Sequence, residues 1–303
     1  MPCYHPIDAW KTDTGLHFKE MARGSRASHK IQIPCGKCIG CRKKRVRDWA
    51  TRCMHEAQMH KENCFITLTY NDDNYTPTLE YEHFQYFMKR LRLISGKKIR
   101  YFAAGEYGTQ LNRPHFHALL FGVQFHDLTP IAKNLYKSKA LEAIWNKGYA
   151  SVGEVNHTTA SYVAKYTMKK ISGEPAKTHY ERVNARTGEI ITVNPEFGHM
   201  SLKPGIGATW LAKYWQEVYI PRDGIILNGK TIPAPRYYDK HLQKINQTDK
   251  NKIDTNKQKI IETKKEERQI KAQQNKKDNT KTRLKVKETV AIAEAKHKDN
   301  RKL

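Results

Sequence analysis

Between residues 42 and 60 the apolar positions Val46, Trp49, Ala50, Cys53, Met54 and Ala57 recur at spacings of three and four with Arg and Lys between them. That is the period of an amphipathic helix. Phe65-Ile66-Thr67-Leu68-Thr69-Tyr70 is rich in β-branched and aromatic residues and closes on Asn71-Asp72-Asp73-Asn74, which predicts a strand and then a turn. Phe84, Phe87, Met88, Leu91 and Ile94 form a second helical stripe, stopped by Ser95-Gly96. Residues 99–105 and 115–122 read as two strands joined as a hairpin through Tyr107-Gly108-Thr109-Gln110-Leu111-Asn112-Arg113-Pro114. The pattern continues with a helix around 137–146, a short strand around 149–155 and a helix from about 158 to 171. Thr158 or Thr159 would cap that last helix. A hairpin about Arg186-Thr187-Gly188 follows over 180–193.

The predicted fold is α+β, a central antiparallel sheet flanked by helices. After about residue 245 single aliphatics are scattered among Lys, Gln, Asn and Thr, too few to offset the entropy of ordering a core. This tail is expected to be disordered or a solvated helix, a weakly DNA-attracting arm. The expected organisation is therefore an N-terminal cysteine-rich module with a basic helix over 1–62, a main domain over 63–240 and a Lys-rich polar tail over 241–303.

Composition narrows the partner. The 303 residues carry 55 Lys+Arg against 30 Asp+Glu, a net +25. The last 63 residues hold 19 basic and 9 acidic side chains, a net +10, which leaves +15 on the first 240. The body as well as the tail thus suits an anionic polymer. No apolar run is long enough to span a bilayer, and Met1-Pro2-Cys3-Tyr4-His5 lacks the basic start and apolar core of a signal peptide. A cytosolic protein is expected. The absence of a G-x-x-x-x-G-K-[ST] loop argues against an NTPase motor on this chain.

Candidate chemistry centres on Arg113-Pro114-His115-Phe116-His117. Residues i and i+2 of a strand share a face, so both imidazoles project together while Phe116 points the other way. Glu106 ends the preceding predicted strand, and antiparallel pairing would bring its carboxylate beside them. Two His and one carboxylate leave open coordination positions, which suits Mg²⁺ or Mn²⁺ gripping a phosphate oxygen as well as Zn²⁺. The bland alternative is that Glu106 offsets the charge of Arg100 or Arg113. Tyr162 and Tyr166 lie about 6 Å apart on one helix face, where they could address one site in turn or simply pack. Lys165 and Lys169, each three residues beyond a tyrosine, are placed to hold a phosphate.

Six cysteines in a chain of this length argue against a disulfide framework. Cys35, Cys38 and Cys41, with Cys3 or His5 as a fourth ligand, have the donors for a tetrahedral structural Zn²⁺, or else are free thiols in a Gly-rich turn. Cys53 and Cys64 read as buried packing residues. Arg42, Lys43, Lys44, Arg45 and Arg47 follow the cluster on one basic helix that could lie along DNA phosphates or form a solvated face.

Gly105-Glu106-Tyr107-Gly108, Arg113-Pro114-His115-Phe116-His117 and Tyr162-Val163-Ala164-Lys165-Tyr166, with Phe65–Tyr70 in the place of a first strand motif, resemble the motif series of HUH-superfamily rolling-circle initiators. The resemblance is strongest to the replication initiators of gokushovirus-type microviruses. It extends through Cys35-Gly36-Lys37-Cys38-Ile39-Gly40-Cys41, Lys203-Pro204-Gly205-Ile206-Gly207 and Pro235-Arg236-Tyr237-Tyr238-Asp239-Lys240, and so covers most of residues 1–240. It implies an RRM-like HUH core, a metal held by Glu106, His115 and His117, and Tyr162 and Tyr166 as nucleophiles assisted by Lys165 and Lys169. The implied activity is nicking and rejoining of origin DNA through a 5′-phosphotyrosine, with Mg²⁺ or Mn²⁺ as cofactor. The implied partners are single-stranded viral origin DNA, contacted in part by Arg113, and a host helicase and DNA polymerase, in the cytoplasm of a bacterial host. A transposase or relaxase with the same chemistry is one alternative. A non-catalytic, zinc-containing nucleic-acid-binding protein is the other.

Overall fold

In the computed structural model the described residues are 3–12, 15–18, 29–108, 111–168, 170–171, 173–184, 187–248 and 255–300. The chain divides into two compact units, Met1–Val46 with Lys259–Leu303, and Arg47–Gln258.

In the first unit, β1 (Ile7–Thr12) lies between β2 (Gly15–His17) and β3 (His29–Ile33) in an antiparallel sheet. A turn carrying Cys35 and Cys38 leads into α1 (Ile39–Ala57), which holds Cys41 in its first turn and whose first residues belong to this unit and the rest to the second. The polar tail is helical over Thr255–Gln274 and Lys281–Asn300. Its sparse aliphatics have a use: Leu284 and Ala291, two helical turns apart, are buried beside Tyr4 and Cys38.

The second unit continues with β4 (Asn63–Tyr70), α2 (Tyr81–Ser95), β5 (Arg100–Tyr107), β6 (Pro114–Phe121), β7 (Leu128–Ala132), β8 (Leu135–Ser138), α3 (Lys139–Trp145), β9 (Gly148–Gly153) and α4 (His157–Tyr166). After a short helix α5 (Pro175–His179) come β10 (Glu181–Val183), β11 (Ile190–Thr192) and β12 (Phe197–Met200). Then follow α6 (Ala208–Tyr219), the small hairpin β13 (Ile225–Leu227) and β14 (Lys230–Ile232), and α7 (Arg236–Thr248). Among the described residues one seven-stranded sheet, ordered β12-β5-β6-β4-β9-β8-β7, is antiparallel throughout. The α+β fold read from the sequence is the observed one.

One face of this sheet packs Ile66, Leu68, Phe116, Ala118 and Leu120 against Phe84, Phe87, Met88 and Leu91 of α2 and Leu141 and Trp145 of α3. The opposite face carries Thr67, His117 and Glu106, with α4 lying over it. Because both faces are covered, β5 and β6 are buried nearly end to end, and their sequences show apolar runs instead of clean alternation.

Several element details differ from expectation. Ile94 belongs to the stripe by spacing but is 68% exposed, because it lies in the last turn of α2, beyond the residues that meet the sheet. The segment expected as helix from 137 begins as strand β8, and Ser138 then caps α3 by accepting from the Leu141 N–H at 3.0 Å. The cap of α4 is Asn156 and not a threonine. Its carboxamide oxygen accepts from the Thr158 and Thr159 N–H groups, both at 2.9 Å, while the Thr159 hydroxyl accepts from the Asn156 N–H at 2.9 Å. This reciprocal box starts the helix at His157, and it ends at Tyr166, earlier than the expected 171. The edge strand β12, absent from the sequence reading, pairs with β5 from Phe197↔Gly105 to Met200↔Phe102.

Candidate active site

The hairpin register does most of the positioning. Glu106 of β5 pairs directly with His115 of β6, and Ala104 with His117. Residues directly opposite in an antiparallel pair point to the same face, so the carboxylate and both imidazoles meet. Glu106 Oε1 lies 3.0 Å from His115 Nε2 and 3.1 Å from His117 Nε2, and the imidazole centroids are 4.8 Å apart. Glu106 and His117 are buried and His115 is half-buried. Of the arginines that Glu106 might have neutralised, Arg100 donates to Glu56 and to the Pro204 carbonyl, and Arg113 to Asp72.

Each imidazole is oriented from behind. His115 Nδ1 lies 3.1 Å from the Arg113 carbonyl oxygen, an acceptor only, so Nδ1 donates to it and Nε2 is the nitrogen turned toward Glu106. His117 Nδ1 lies 2.9 Å from Thr67 Oγ1, across the β4–β6 register pair Thr67↔His117. This is the carbonyl- or hydroxyl-backed imidazole arrangement found around bound cations. Ligands at right angles, each about 2.1 Å from one hard cation, stand about 3.0 Å apart, and the Glu106–His115 and Glu106–His117 spacings match that edge. The three residues together have the donor set and proximity to hold a divalent metal ion.

Helix α4 brings the phenols. Ala160, Val163 and Ala164 are buried against the sheet, and their small size lets the helix lie close. Tyr162 and Tyr166 then flank His117, with ring centroids 5.0 and 5.4 Å from its imidazole and 4.6 Å from each other. Phe65 supports them, stacked on His117 at 5.9 Å and edge-on to Tyr162 at 6.2 Å. Tyr162 is 39% exposed, so one phenol of the pair reaches solvent while sitting at the imidazoles. Both hydroxyls are pushed above the ordinary tyrosine value by burial. For Tyr166 the hydrogen bond with Tyr162 and the Glu106 charge raise it further, whereas for Tyr162 the bond with Tyr166 acts in the opposite direction.

The other predicted residues distribute unevenly. Lys165 is exposed on α4, and Lys169 lies outside the described residues. Arg113 is taken up by Asp72 and lies over the Tyr75 ring at 5.3 Å. Lys43 donates to the Ala291 carbonyl at 3.2 Å and Arg47 to Asp48 at 3.0 Å, while Arg42 and Arg45 are exposed and Lys44 is half-buried. Cys3, Cys35, Cys38 and Cys41 form the second group able to hold a metal. Of the two candidates for its fourth ligand, Cys3 supplies a sulfur, and His5 instead lies 2.6 Å from Glu288. Cys53 and Cys64 are buried packing residues, as read. The sequence reading gave Thr67, Phe65 and Asn156 no role at the site. Aligning the alternation of Phe65–Tyr70 with His-x-His would have found the first two, since the observed register sets Thr67 directly opposite His117 on one face.

The strands and helix that build this site fall within a region shared with phage replication-associated proteins. The family model described as replication-associated protein ORF2/G2P matches residues 63–171, the span from β4 through α4. The chain is 31% identical over 259 residues to replication-associated protein VP4 of Bdellovibrio phage phiMH2K, covering 80% of this chain and 78% of that one. It is 27% identical to replication-associated protein ORF2 of Spiroplasma virus 4, covering 80% and 81%. Replication-associated protein ORF4 of Chlamydia phage 1 is 29% identical, covering 70% of this chain and 54% of that one. No solved structure matches. The chain belongs to this family of phage replication-associated proteins, and the family resemblance drawn from its motifs holds. No described helix is long and apolar enough to cross a membrane.

Proposed function

We propose that this protein is a metal-dependent endonuclease and strand transferase that starts rolling-circle replication by nicking and rejoining single-stranded viral origin DNA. The observation that carries the reading is the meeting of two tyrosine rings with an imidazole that shares a carboxylate with a second imidazole. Glu106, His115 and His117 would hold Mg²⁺ or Mn²⁺, which when bound polarises a phosphate and offsets the charge that builds up in transfer.

The chain's own groups then do the following. One phenol loses its proton and its oxygen attacks the scissile phosphorus. The P–O3′ bond breaks, and the leaving oxygen takes a proton to become a free 3′-OH. The DNA 5′ phosphate stays on the tyrosine as a phosphodiester. A host polymerase extends the 3′-OH and a host helicase opens the duplex ahead of it. On the return of the origin the second phenol repeats the attack, and the released 3′-OH displaces the first tyrosine to close a circle, with the number of phosphodiester bonds unchanged at each step. Lys165, Lys169 and Arg113 would hold the DNA phosphates, with Arg42, Lys43, Lys44, Arg45 and Arg47 adding sequence-independent attraction. A zinc ion on the four clustered cysteines would serve structure and take no part in transfer. The setting would be the cytoplasm of the bacterial host.

The test is a denaturing gel of full-length protein with a labelled single-stranded origin oligonucleotide. A covalent adduct that requires Mg²⁺ or Mn²⁺ and disappears in the double variant Tyr162→Phe/Tyr166→Phe is expected. An adduct that survives the double variant would overturn the assigned nucleophiles, and binding with no adduct at all would favour a non-catalytic binder in which tyrosines stack on bases.

A further inference from the structure

Four sulfurs from two distant parts of the chain converge in the N-terminal unit. Cys3 Sγ lies 3.9 Å from Cys38 Sγ, and Cys35 Sγ 4.0 Å from Cys41 Sγ. A disulfide would hold two sulfurs at about 2.05 Å, whereas four thiolates about 2.3 Å from one tetrahedral zinc ion stand about 3.8 Å apart. The peptide groups are turned to match: the N–H of Tyr4 donates to Cys38 Sγ at 3.4 Å, that of Cys35 to Cys3 Sγ at 3.2 Å, that of Cys38 to Cys35 Sγ at 3.4 Å and that of Cys41 to Cys38 Sγ at 3.5 Å. Such donors offset the negative charge that four thiolates leave around a dication. Gly36 at φ 75° makes the turn between the first two of the clustered thiols, and Cys41 falls in the first turn of α1, whose free N–H groups favour negative charge.

The same residues form the seat of the C-terminal helix. Tyr4, Cys38, Leu284 and Ala291 are one buried cluster, with Cys3, Cys35, Ile39 and Cys41 packed around it. The Lys43 ammonium donates to the Ala291 carbonyl at 3.2 Å, and His5 Nε2 meets Glu288 at 2.6 Å. Four buried side chains are too small a core to hold two chain ends together unaided.

We infer that Cys3, Cys35, Cys38 and Cys41 form a closed tetrahedral zinc site and that the bound ion builds the surface on which the basic helix Lys281–Asn300 docks. This rests on the reading of the cluster as a structural zinc site and extends it to the tail. The site offers four thiolates and no open position, so its ion is structural. Removing it frees the helix by dissolving the seat formed by residues 3–5 and 35–41.

The test uses the full chain. Dialysed protein is expected to retain one zinc per chain by elemental mass spectrometry, as is His115→Ala/His117→Ala, while Cys35→Ser/Cys38→Ser retains none. Cobalt(II) in its place should give the visible bands of a tetrahedral all-thiolate centre. Hydrogen exchange over residues 284–291 should accelerate at least tenfold on chelation of the wild-type protein and recover on adding zinc, a readout that holds even if the Cys→Ser variant misfolds. Retention of less than a tenth of an equivalent, or zinc lost only with the histidines, overturns the metal site. Stoichiometric zinc with exchange over 284–291 unaltered by chelation overturns the docking alone.

Discussion

Thr67 and His117 face each other across β4 and β6, hydroxyl oxygen to Nδ1 at 2.9 Å, and so a strand outside the Glu106–His115–His117 group fixes one of its rings. Thr67→Val keeps the shape and removes the polar atom that meets Nδ1 of this buried imidazole. Outer-shell changes of this kind weaken metal affinity roughly 10- to 100-fold. Mn²⁺ titration followed by electron paramagnetic resonance should show that loss, with cleavage recovering at high Mn²⁺. Wild-type Mn²⁺ affinity in the variant would remove Thr67 from the site.

The two phenols are not equivalent. Tyr162 reaches solvent, whereas Tyr166 is half-buried and its hydroxyl is pushed up further by Tyr162 and Glu106. The more exposed phenol should make the first cut. Tyr162→Phe is expected to lower the adduct with origin oligonucleotide at least tenfold, and Tyr166→Phe to spare it while lowering transfer to a second strand. Equal adduct loss in the two variants would contradict this order.

Gly198 of β12 lets the end of α4 approach the sheet. A methyl group there would sit 2.5 Å from Thr167 Cγ2 and 2.6 Å from its Cβ, and Thr167 is the residue after Tyr166. Gly198→Ala should therefore cost about 1–3 kcal/mol as an overpacking change and shift Tyr166. Denaturant unfolding and the strand-transfer rate, measured on the same sample, should both fall. Wild-type values in both would show that α4 has slack here.

His55 is stacked on Trp210 at 3.5 Å between centroids and lies 2.7 Å from the Tyr238 hydroxyl, and burial holds it down to about 4. The unfolded chain takes up a proton at the ordinary histidine value near 6.5, and the folded chain does so only near 4. This contribution to stability is complete above about pH 6.5 and is lost as pH falls toward 4, at up to about 1.4 kcal/mol per pH unit. His83, His157 and His199 are shifted the same way, so the comparison must be with His55→Gln. Urea unfolding at pH 7 and pH 5 should lose less stability between the two values in the variant. Parallel profiles would mean that His55 is not the titrating group.

Much of the architecture was legible in local pattern. The α2 stripe, the β5–β6 hairpin and the α4 tyrosines announce themselves because a helix repeats every 3.6 residues and a strand every two, and because Gly96 at φ 62° terminates α2 where the stripe stops. Elsewhere a specific contact, and not periodicity, decided the outcome. The carboxamide of Asn156 outcompetes the threonine hydroxyls by accepting from two N–H groups at once. Ile94 fits the stripe yet misses the sheet, because periodicity records a face and not how far the partner surface extends.

The candidate site divides along the same line. His115 and His117 must share a face of any strand that contains them, and Tyr162 and Tyr166 must share a face of any helix, so these pairings are implicit in the order of residues. That Glu106 lands opposite His115, that Thr67 backs His117, and that α4 lies over that face of the sheet depend on hairpin register, strand order and the close packing of Ala160, Val163 and Ala164. Cys3 joining a cluster more than thirty residues away, and Leu284 and Ala291 finding their seat beside it, likewise required the folded chain. Periodicity is a property of neighbours along the backbone, whereas register and docking arise from contacts between segments whose mutual placement no local spacing records.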